Sequence, residues 1–120
     1  MDDELKIYIL IRGDIDIPSG KLVVQAAHTA IGVYRVCLER NPGLIERYNH
    51  TGLHKKVCLK AKNVGALTRA LEECEENGIP TFLLQDAGLT VFEEPTITAL
   101  GIGPVTKDGL PRFVQKLQLY

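Results

Sequence analysis

Residues 6–12 read KIYILIR and, after a loop, residues 21–38 read KLVVQAAHTAIGVYRVCL. The first stretch holds five consecutive apolar residues, three of them isoleucine, and predicts a strand buried on both faces. Apolar residues recur at helical spacing in the second stretch, and Ser19 stands where a helix N-cap is expected. A buried strand followed by a long amphipathic helix begins a βα crossover, which indicates a parallel or mixed sheet.

The remaining sequence continues this alternation of strands and helices. Further strands are predicted at residues 56–61, 81–84 and 96–102. Further helices are predicted at residues 42–48 and from a cap at Asn63 to a stop at Asn77-Gly78. Gly103-Pro104 is expected to end the fourth strand. A last short helix follows, with a start obscured by Gly109 and Pro111, and residues 114–120 are expected to return as an edge strand. We therefore predict one α/β domain over residues 1–120, with three α/β/α layers around a mixed four-stranded sheet.

The composition is that of an ordinary globular protein, with 45% hydrophobic and 24% charged residues in a chain of 120. Apolar runs are too short to cross a bilayer, and no signal-peptide pattern opens the chain, so we expect a cytoplasmic protein without a membrane partner. The three cysteines, Cys37, Cys58 and Cys74, lack CxxC spacing and are expected to be reduced and packed among apolar residues.

Charge is unevenly distributed along the chain. Its net value is −1, yet residues 35–62 carry seven Lys or Arg and only two Glu. Such a segment permits a local phosphate-binding face on a nearly neutral protein. Solvated helical surfaces explain the same charges equally well.

The loop before the long helix is the first candidate site. Ser19-Gly20-Lys21 follows the first strand, at the sheet edge where α/β proteins bind ligands. Backbone N–H groups and the helix dipole favour an anion there, and Gly20 permits close approach. Lys21, Gln25 and His28 fall within an arc of about 60° on the helix. His28 alone is better explained as a structural histidine, and histidine spacing predicts no metal.

The second candidate site follows the third strand, where residues 86–90 read DAGLT. Asp86 ends that strand at the same sheet edge and can face Lys21. A local alternative is a tight turn in which Asp86 caps the chain and Gly88 supplies a positive φ. Thr90 and Thr98 are also ordinary strand residues. Only the combination of these residues favours a site.

These segments together resemble a known family, the type 2 peptidyl-tRNA hydrolases of archaea and eukaryotes. The family's R-x-D, G-K and A-x-Q-x-x-H-A patterns correspond to Arg12-Gly13-Asp14, Gly20-Lys21 and residues 24–30. Its D-A-G-x-T, T-x-T and G-P patterns correspond to residues 86–90, residues 96–98 and Gly103-Pro104. The order and intervals agree from residue 6 to the C-terminal tail.

The chain also departs from the family pattern near the site. Pro18-Ser19 replaces the first G-K of the usual G-K-G-K loop, and Leu89 and Val91 stand where Arg and Gln are common. Acidic Glu93-Glu94 replaces a neutral turn. One alternative is therefore a weak or inactive paralogue that serves as an RNA-binding or protein-interaction module. Another, a small-anion or nucleotide-binding domain, rests only on the helix start at Ser19-Gly20.

The resemblance implies hydrolysis of the peptidyl-tRNA ester, which releases free tRNA and peptide, without a metal or cofactor. It implies four catalytic residues: Lys21, Asp86, Thr90 and Thr98. It implies five substrate-binding residues: Ser19, Gly20, Gln25, His28 and Gly88. Asp86 suits a general base or water-orienting group and Lys21 suits stabilisation of an oxyanion or phosphate. The resemblance also implies a homodimer, although the extra apolar surface of the long helix could instead be covered by the short helix that follows it.

Overall fold

The computed structural model describes residues 4–87 and 94–120. Its strands are β1 (Lys6–Arg12), β2 (Lys56–Ala61), β3 (Thr81–Asp86) and β4 (Thr96–Val105). Its α-helices are α1 (Ser19–Arg40), α2 (Pro42–His50), α3 (Val64–Glu76) and α4 (Arg112–Gln115), and a 3₁₀ turn spans Lys107–Gly109. No helix in these described ranges is long and apolar enough to span a membrane.

The four strands form one mixed sheet in the order β2-β1-β4-β3. Strands β1 and β2 are parallel, while β4 is antiparallel to both β1 and β3. Strands β1, β2 and β3 therefore share one direction, and they end at one edge of the sheet, near Arg12, Ala61 and Asp86. We call this the carboxyl edge and the other end the amino edge. The predicted mixed four-stranded α/β fold is confirmed.

Helices cover both faces of the sheet, which confirms the three predicted layers. On one face, Ala30 and Val33 of α1 and Tyr48 of α2 pack against isoleucines of β1. On the other face, apolar residues of α3 and the C-terminal segment pack against β1, β2 and β4. The alternation of β1 residues between the two clusters explains why its whole apolar run is buried.

Two glycines let α1 lie close to the sheet. A Cβ atom on Gly32 would overlap the ring of Phe82 on β3, and one on Gly101 of β4 would lie 2.9 Å from the carbonyl oxygen of Thr29. Neither position leaves room for a side chain. This close packing brings the first turns of α1 against the end of β3.

Three local predictions are corrected by the structure. Helix α1 starts at Ser19, so Pro18 rather than Ser19 occupies the N-cap position, and it makes no side-chain cap hydrogen bond. Strand β3 continues to Asp86, beyond the predicted end at residue 84. Strand β4 does not end at Gly103-Pro104 but pairs on to Val105, opposite Lys6, because Gly103 adopts φ +108° and donates its N–H to the Pro80 carbonyl at 3.0 Å.

The C-terminal tail contains the short helix α4 rather than a full edge strand. Beyond α4 it pairs with β2 at one bridge, between Leu119 and Leu59, with a hydrogen bond from the Tyr120 N–H to the Cys58 carbonyl at 3.0 Å. The expected packing of the cysteines is confirmed for Cys37 and Cys74, which are buried, while Cys58 is half-buried. Burial raises the pKa of Cys74 to about 12.

Candidate active site

The carboxyl edge holds a close ion pair between the two candidate segments. Lys21, in the first turn of α1, places its Nζ 2.8 Å from Oδ2 of Asp86, the last residue of β3. The Asp86 side chain is only 6% exposed and that of Lys21 is 20% exposed. The structure therefore brings these two predicted residues together in a largely desolvated position that still opens to solvent at Lys21.

Gln25 supports the same carboxylate oxygen from one turn further along α1. It is buried, and its Nε2 lies 3.5 Å from Asp86 Oδ2, at the long limit of a hydrogen bond. Thr29 follows at the next turn and is also buried, with its hydroxyl donating to the Gln25 carbonyl at 2.7 Å. The inward polar stripe is thus Lys21, Gln25 and Thr29. Thr29 was missed, although the i, i+4, i+8 spacing indicates it.

The other predicted residues of this helix lie outside the buried stripe. His28 is exposed, on the helix surface next to that stripe rather than within it. Ser19 and Gly20 are exposed in the first turn, and a Cβ atom on Gly20 would meet nothing within 4 Å. The first turn of α1 is thus exposed to solvent next to Lys21.

A β-bulge places Thr98 next to the end of β3. Leu84 pairs with Ala99 and Gln85 pairs with Ile97, so Thr98 is the additional residue on β4. Its side chain is fully buried, and its Oγ1 has no hydrogen-bond partner among the described residues. Bulges of this kind redirect side chains near active sites. Of the other predicted residues, Gly88 and Thr90 lie outside the described residues.

The R-x-D segment forms a second ion pair at the carboxyl edge. Arg12 Nε and Nη2 donate to Oδ1 and Oδ2 of Asp14 at 3.0 and 2.9 Å, and Nη1 donates to the Ile97 carbonyl at 3.1 Å. The hydrogen bond from Arg12 holds the pKa of Asp14 below its ordinary value. The sequence pattern had marked these residues, but no role was predicted for them.

The basic segment does not gather around the site. Strand β2 runs along the sheet, so Lys62 lies just beyond its carboxyl end while Lys55 and Lys56 lie at the amino edge. Lys55 pairs with Glu4 at 2.9 Å, and Lys56 donates to the His54 carbonyl at 2.6 Å. In the portions of chain described, residues 4–87 and 94–120, no three His, Cys, Asp or Glu side chains are grouped as metal ligands.

Fold and geometry define an α/β protein with a buried acid paired to a lysine at the carboxyl ends of its strands, the position at which such sheets bind ligands. The chain belongs to a particular family of such proteins, since the family described as "Peptidyl-tRNA hydrolase PTH2" matches residues 5–120. The resemblance stated from the sequence motifs is thus confirmed.

Individual relatives carry the same description. The chain is 38% identical over 114 residues to the peptidyl-tRNA hydrolase of Methanopyrus kandleri, with 95% of this chain and 97% of the relative covered. It is 35% identical to that of Thermococcus onnurineus, with 95% and 96% covered. It is 32% identical to the human "Peptidyl-tRNA hydrolase 2, mitochondrial", where 98% of this chain spans only 65% of the relative.

Proposed function

We propose that this chain, acting as one domain, hydrolyses the ester that joins a peptide to the 3′ end of tRNA. The observation that carries the proposal is the 2.8 Å pair of Lys21 and Asp86 at the carboxyl edge, in a member of this family. The reaction requires an activated water and stabilisation of negative charge on the ester oxygen. A carboxylate and an ammonium group side by side provide both functions.

In this mechanism Asp86 orients a water and accepts its proton as the water attacks the ester carbonyl carbon. The negative charge that develops on the carbonyl oxygen is stabilised by Lys21, an effect of roughly 3 kcal/mol for a preorganised donor. Collapse of the tetrahedral intermediate breaks the ester bond, and the departing tRNA oxygen takes the proton back from Asp86. General base catalysis of this kind contributes about 10²–10⁴-fold.

Groups next to the Lys21–Asp86 pair orient the carboxylate or offer contacts to the substrate. Gln25 and Lys21 both approach Oδ2 of Asp86, which fixes the orientation of the carboxylate. Thr98 is fully buried, so we propose that it positions its neighbours rather than touching the ester. The exposed first turn of α1, at Ser19 and Gly20, suits a phosphate of the tRNA end.

The remaining predicted residues take supporting roles in the proposal. His28 lies exposed beside the stripe and is proposed to contact substrate at the rim of the site. Thr90 is proposed as a further hydroxyl partner of the water or ester, and Gly88 as a position where the backbone approaches the substrate; both assignments rest on the sequence motif.

The proposal is tested by release of labelled peptide from peptidyl-tRNA, with a free peptidyl ester as a second substrate. Asp86→Asn should lower the rate of release at least tenfold, because the base is lost while the shape is kept. Asp108→Asn, at an exposed aspartate of the 3₁₀ turn, is the matched control and should retain the wild-type rate. Equal rates in wild type and Asp86→Asn, in preparations free of contaminating hydrolase, would refute the site.

We also propose that the protein is a homodimer. Val23 and Ile31 of α1 are 68% and 61% exposed, whereas Tyr34 of the same helix packs edge-on against Tyr48 of α2. The short helix therefore covers only part of the apolar surface of α1, and the rest suits a self-complementary twofold contact. Sedimentation at micromolar concentration should give about twice 13.3 kDa, and Ile31→Lys should give the monomer. A single 13.3 kDa species in the wild type would contradict the dimer.

We place the protein in the cytoplasm, where reduced thiols persist. Its three cysteines are free, and two are buried, which suits a reducing compartment. A tagged chain expressed in its own cell should fractionate with the cytoplasm, and recovery in another compartment would contradict this assignment.

A further inference from the structure

The guanidinium of Arg12 connects the loop that leads to Lys21 with the start of β4, the strand that pairs with the end of β3 at Asp86. Three of its N–H groups are used: two bind the carboxylate of Asp14, and one binds the carbonyl of Ile97. Asp14 belongs to the loop that leads from β1 into α1, and Ile97 belongs to the bulged start of β4. One side chain therefore joins the segment before Lys21 to the segment that holds Thr98.

The position of Arg12 in the sheet explains why a side chain, rather than the backbone, links the end of β1 to the start of β4. Backbone pairing between β1 and β4 runs from Lys6 opposite Val105 to Ile11 opposite Ala99. Arg12 is the last residue of β1, so its side chain continues the connection to β4 beyond the pair of Ile11 and Ala99. Ile97 immediately precedes Thr98, whose place in the bulge depends on how the start of β4 is held.

An ordinary surface ion pair would not have this geometry. Such pairs contribute little because two flexible side chains are ordered for a screened attraction. The Arg12–Asp14 contact is bidentate, and although the Asp14 side chain is 35% exposed, that of Arg12 is only 15% exposed. A planar fork of this type fixes direction as well as distance, and a lysine cannot reproduce it.

We propose that Arg12 and Asp14 are positioning residues for the hydrolysis, forming a clamp that fixes the β1–α1 loop against the bulge of β4. This inference deepens the proposed function and rests on it. The clamp does not touch the ester; it acts by holding Lys21 and Thr98 in register with Asp86. A displacement of about 1 Å in such an arrangement can lower a rate by up to about 10²-fold.

The test compares four variants of the full chain in hydrolysis of peptidyl-tRNA. Asp14→Asn and Arg12→Lys should each lower kcat by about tenfold with little change in KM, since the reacting groups are displaced while the binding surface remains. Asp14→Glu keeps the charge and the two oxygens and should recover part of the loss. Glu4→Gln removes the carboxylate of an exposed pair at the amino edge, also 2.9 Å from its lysine, and should match the wild type.

A second readout needs no turnover. Methyl and amide resonances of Thr98 and the amide resonance of Lys21 should shift in Asp14→Asn and Arg12→Lys, while the methyl resonance of Ala70, on the opposite face, should not. Unmoved Thr98 and Lys21 signals in both variants would overturn the clamp, as would a change in KM alone. If the wild type releases no peptide, the proposed hydrolysis fails, and the resonances still decide whether the clamp exists.

Discussion

The two edges of the sheet each hold a lysine–carboxylate pair of almost the same length. Lys21 and Asp86 are 2.8 Å apart at the carboxyl edge, with side chains 20% and 6% exposed. Lys55 and Glu4 are 2.9 Å apart at the amino edge, with side chains 47% and 36% exposed. Two unit charges attract by about 1 kcal/mol at 4 Å in water but by about 4 kcal/mol at an effective dielectric of 20. Burial rather than distance therefore distinguishes the two pairs.

Burial also has a cost that the exposed pair avoids. A carboxylate taken out of water loses hydration, and its partner must compensate for that loss. Asp86 is kept in this position by Lys21 and Gln25, and α1 is kept close by the absence of side chains at Gly32 and Gly101. A fold that maintains so expensive a group at the ends of its strands indicates a function there.

Breaking the pair at the carboxyl edge should have the largest effect. Lys21→Ala should lower peptidyl-tRNA hydrolysis at least tenfold, up to about a thousandfold, because the developing oxyanion loses its cation. It should also lower the free energy of unfolding by about 1–3 kcal/mol, since a buried carboxylate loses its partner. Kinetics and urea denaturation measure the two effects.

The matched change at the other edge is Glu4→Gln, which removes the partner of Lys55. It should keep the hydrolysis rate and alter the free energy of unfolding by about 1 kcal/mol or less. If Lys21→Ala and Glu4→Gln changed the hydrolysis rate and the free energy of unfolding by equal amounts, the proposed difference between the two edges would be refuted.

RNA binding should also distinguish the edges. Lys62 lies beyond the carboxyl end of β2, on the same edge as Asp86, whereas Lys55 lies before the amino end of that strand. If the tRNA end binds at the carboxyl edge, Lys62→Glu should weaken tRNA binding more than Lys55→Glu. In Lys62→Glu, the slope of the logarithm of the dissociation constant against the logarithm of the salt concentration should also decrease. The decrease should correspond to the loss of about one phosphate contact.

Binding is measured over a series of salt concentrations, in the Asp86→Asn background so that substrate survives. A larger loss of affinity in Lys55→Glu would place the RNA along the basic segment at the amino edge. An affinity of the parent protein that does not change with salt would contradict an electrostatic contact at either edge.

Much of this fold follows from local sequence patterns. The run of apolar residues in β1 and the helical periodicity of α1 predict both elements. Asn41 and Asn63, a residue type that favours the N-cap, cap α2 and α3 by accepting from the Leu44 and Ala66 N–H groups. The predicted end of β4 was wrong, because the prediction rested on Gly103-Pro104, a local pattern that is typical of a strand break. Pairing of Val105 with Lys6 on a neighbouring strand overrides that pattern.

The sequence predicts those parts of the candidate site that follow from strand topology. It does not predict those that depend on contacts between side chains distant in the chain. Parallel strands end at one edge, so Lys21 and Asp86 could be expected to face each other. The i, i+4, i+8 spacing from Lys21 indicates the buried Thr29, whereas the expectation for His28 rested on the family motif, and His28 is exposed. The link from Arg12 to Ile97 spans 85 positions of the chain, and no local pattern indicates it.

The last expected effect concerns the stability of the fold at the amino edge, where the contribution of Tyr48 depends on pH in alkali. Its hydroxyl donates to the Lys55 carbonyl at 3.1 Å, and burial raises the pKa of Tyr48 to about 12. An unfolded tyrosine ionises near pH 10. Between about pH 10 and 12 the folded protein therefore retains a proton that the unfolded chain releases, so the free energy of unfolding falls as pH rises through this window.

Tyr48→Phe isolates this contribution from other alkaline titrations, including that of Cys74, whose pKa is also raised to about 12. The variant loses a hydrogen bond worth about 1 kcal/mol near neutral pH. The stability advantage of the wild type over Tyr48→Phe should diminish between about pH 10 and 12, because only the wild type has this proton to lose. Urea denaturation across that range measures the difference, and tyrosinate absorbance should show one late step that is absent from the variant. A difference in stability that stays constant to pH 12 would mean that Tyr48 ionises like an exposed tyrosine, and the amino edge would then be more open to water than its packing indicates.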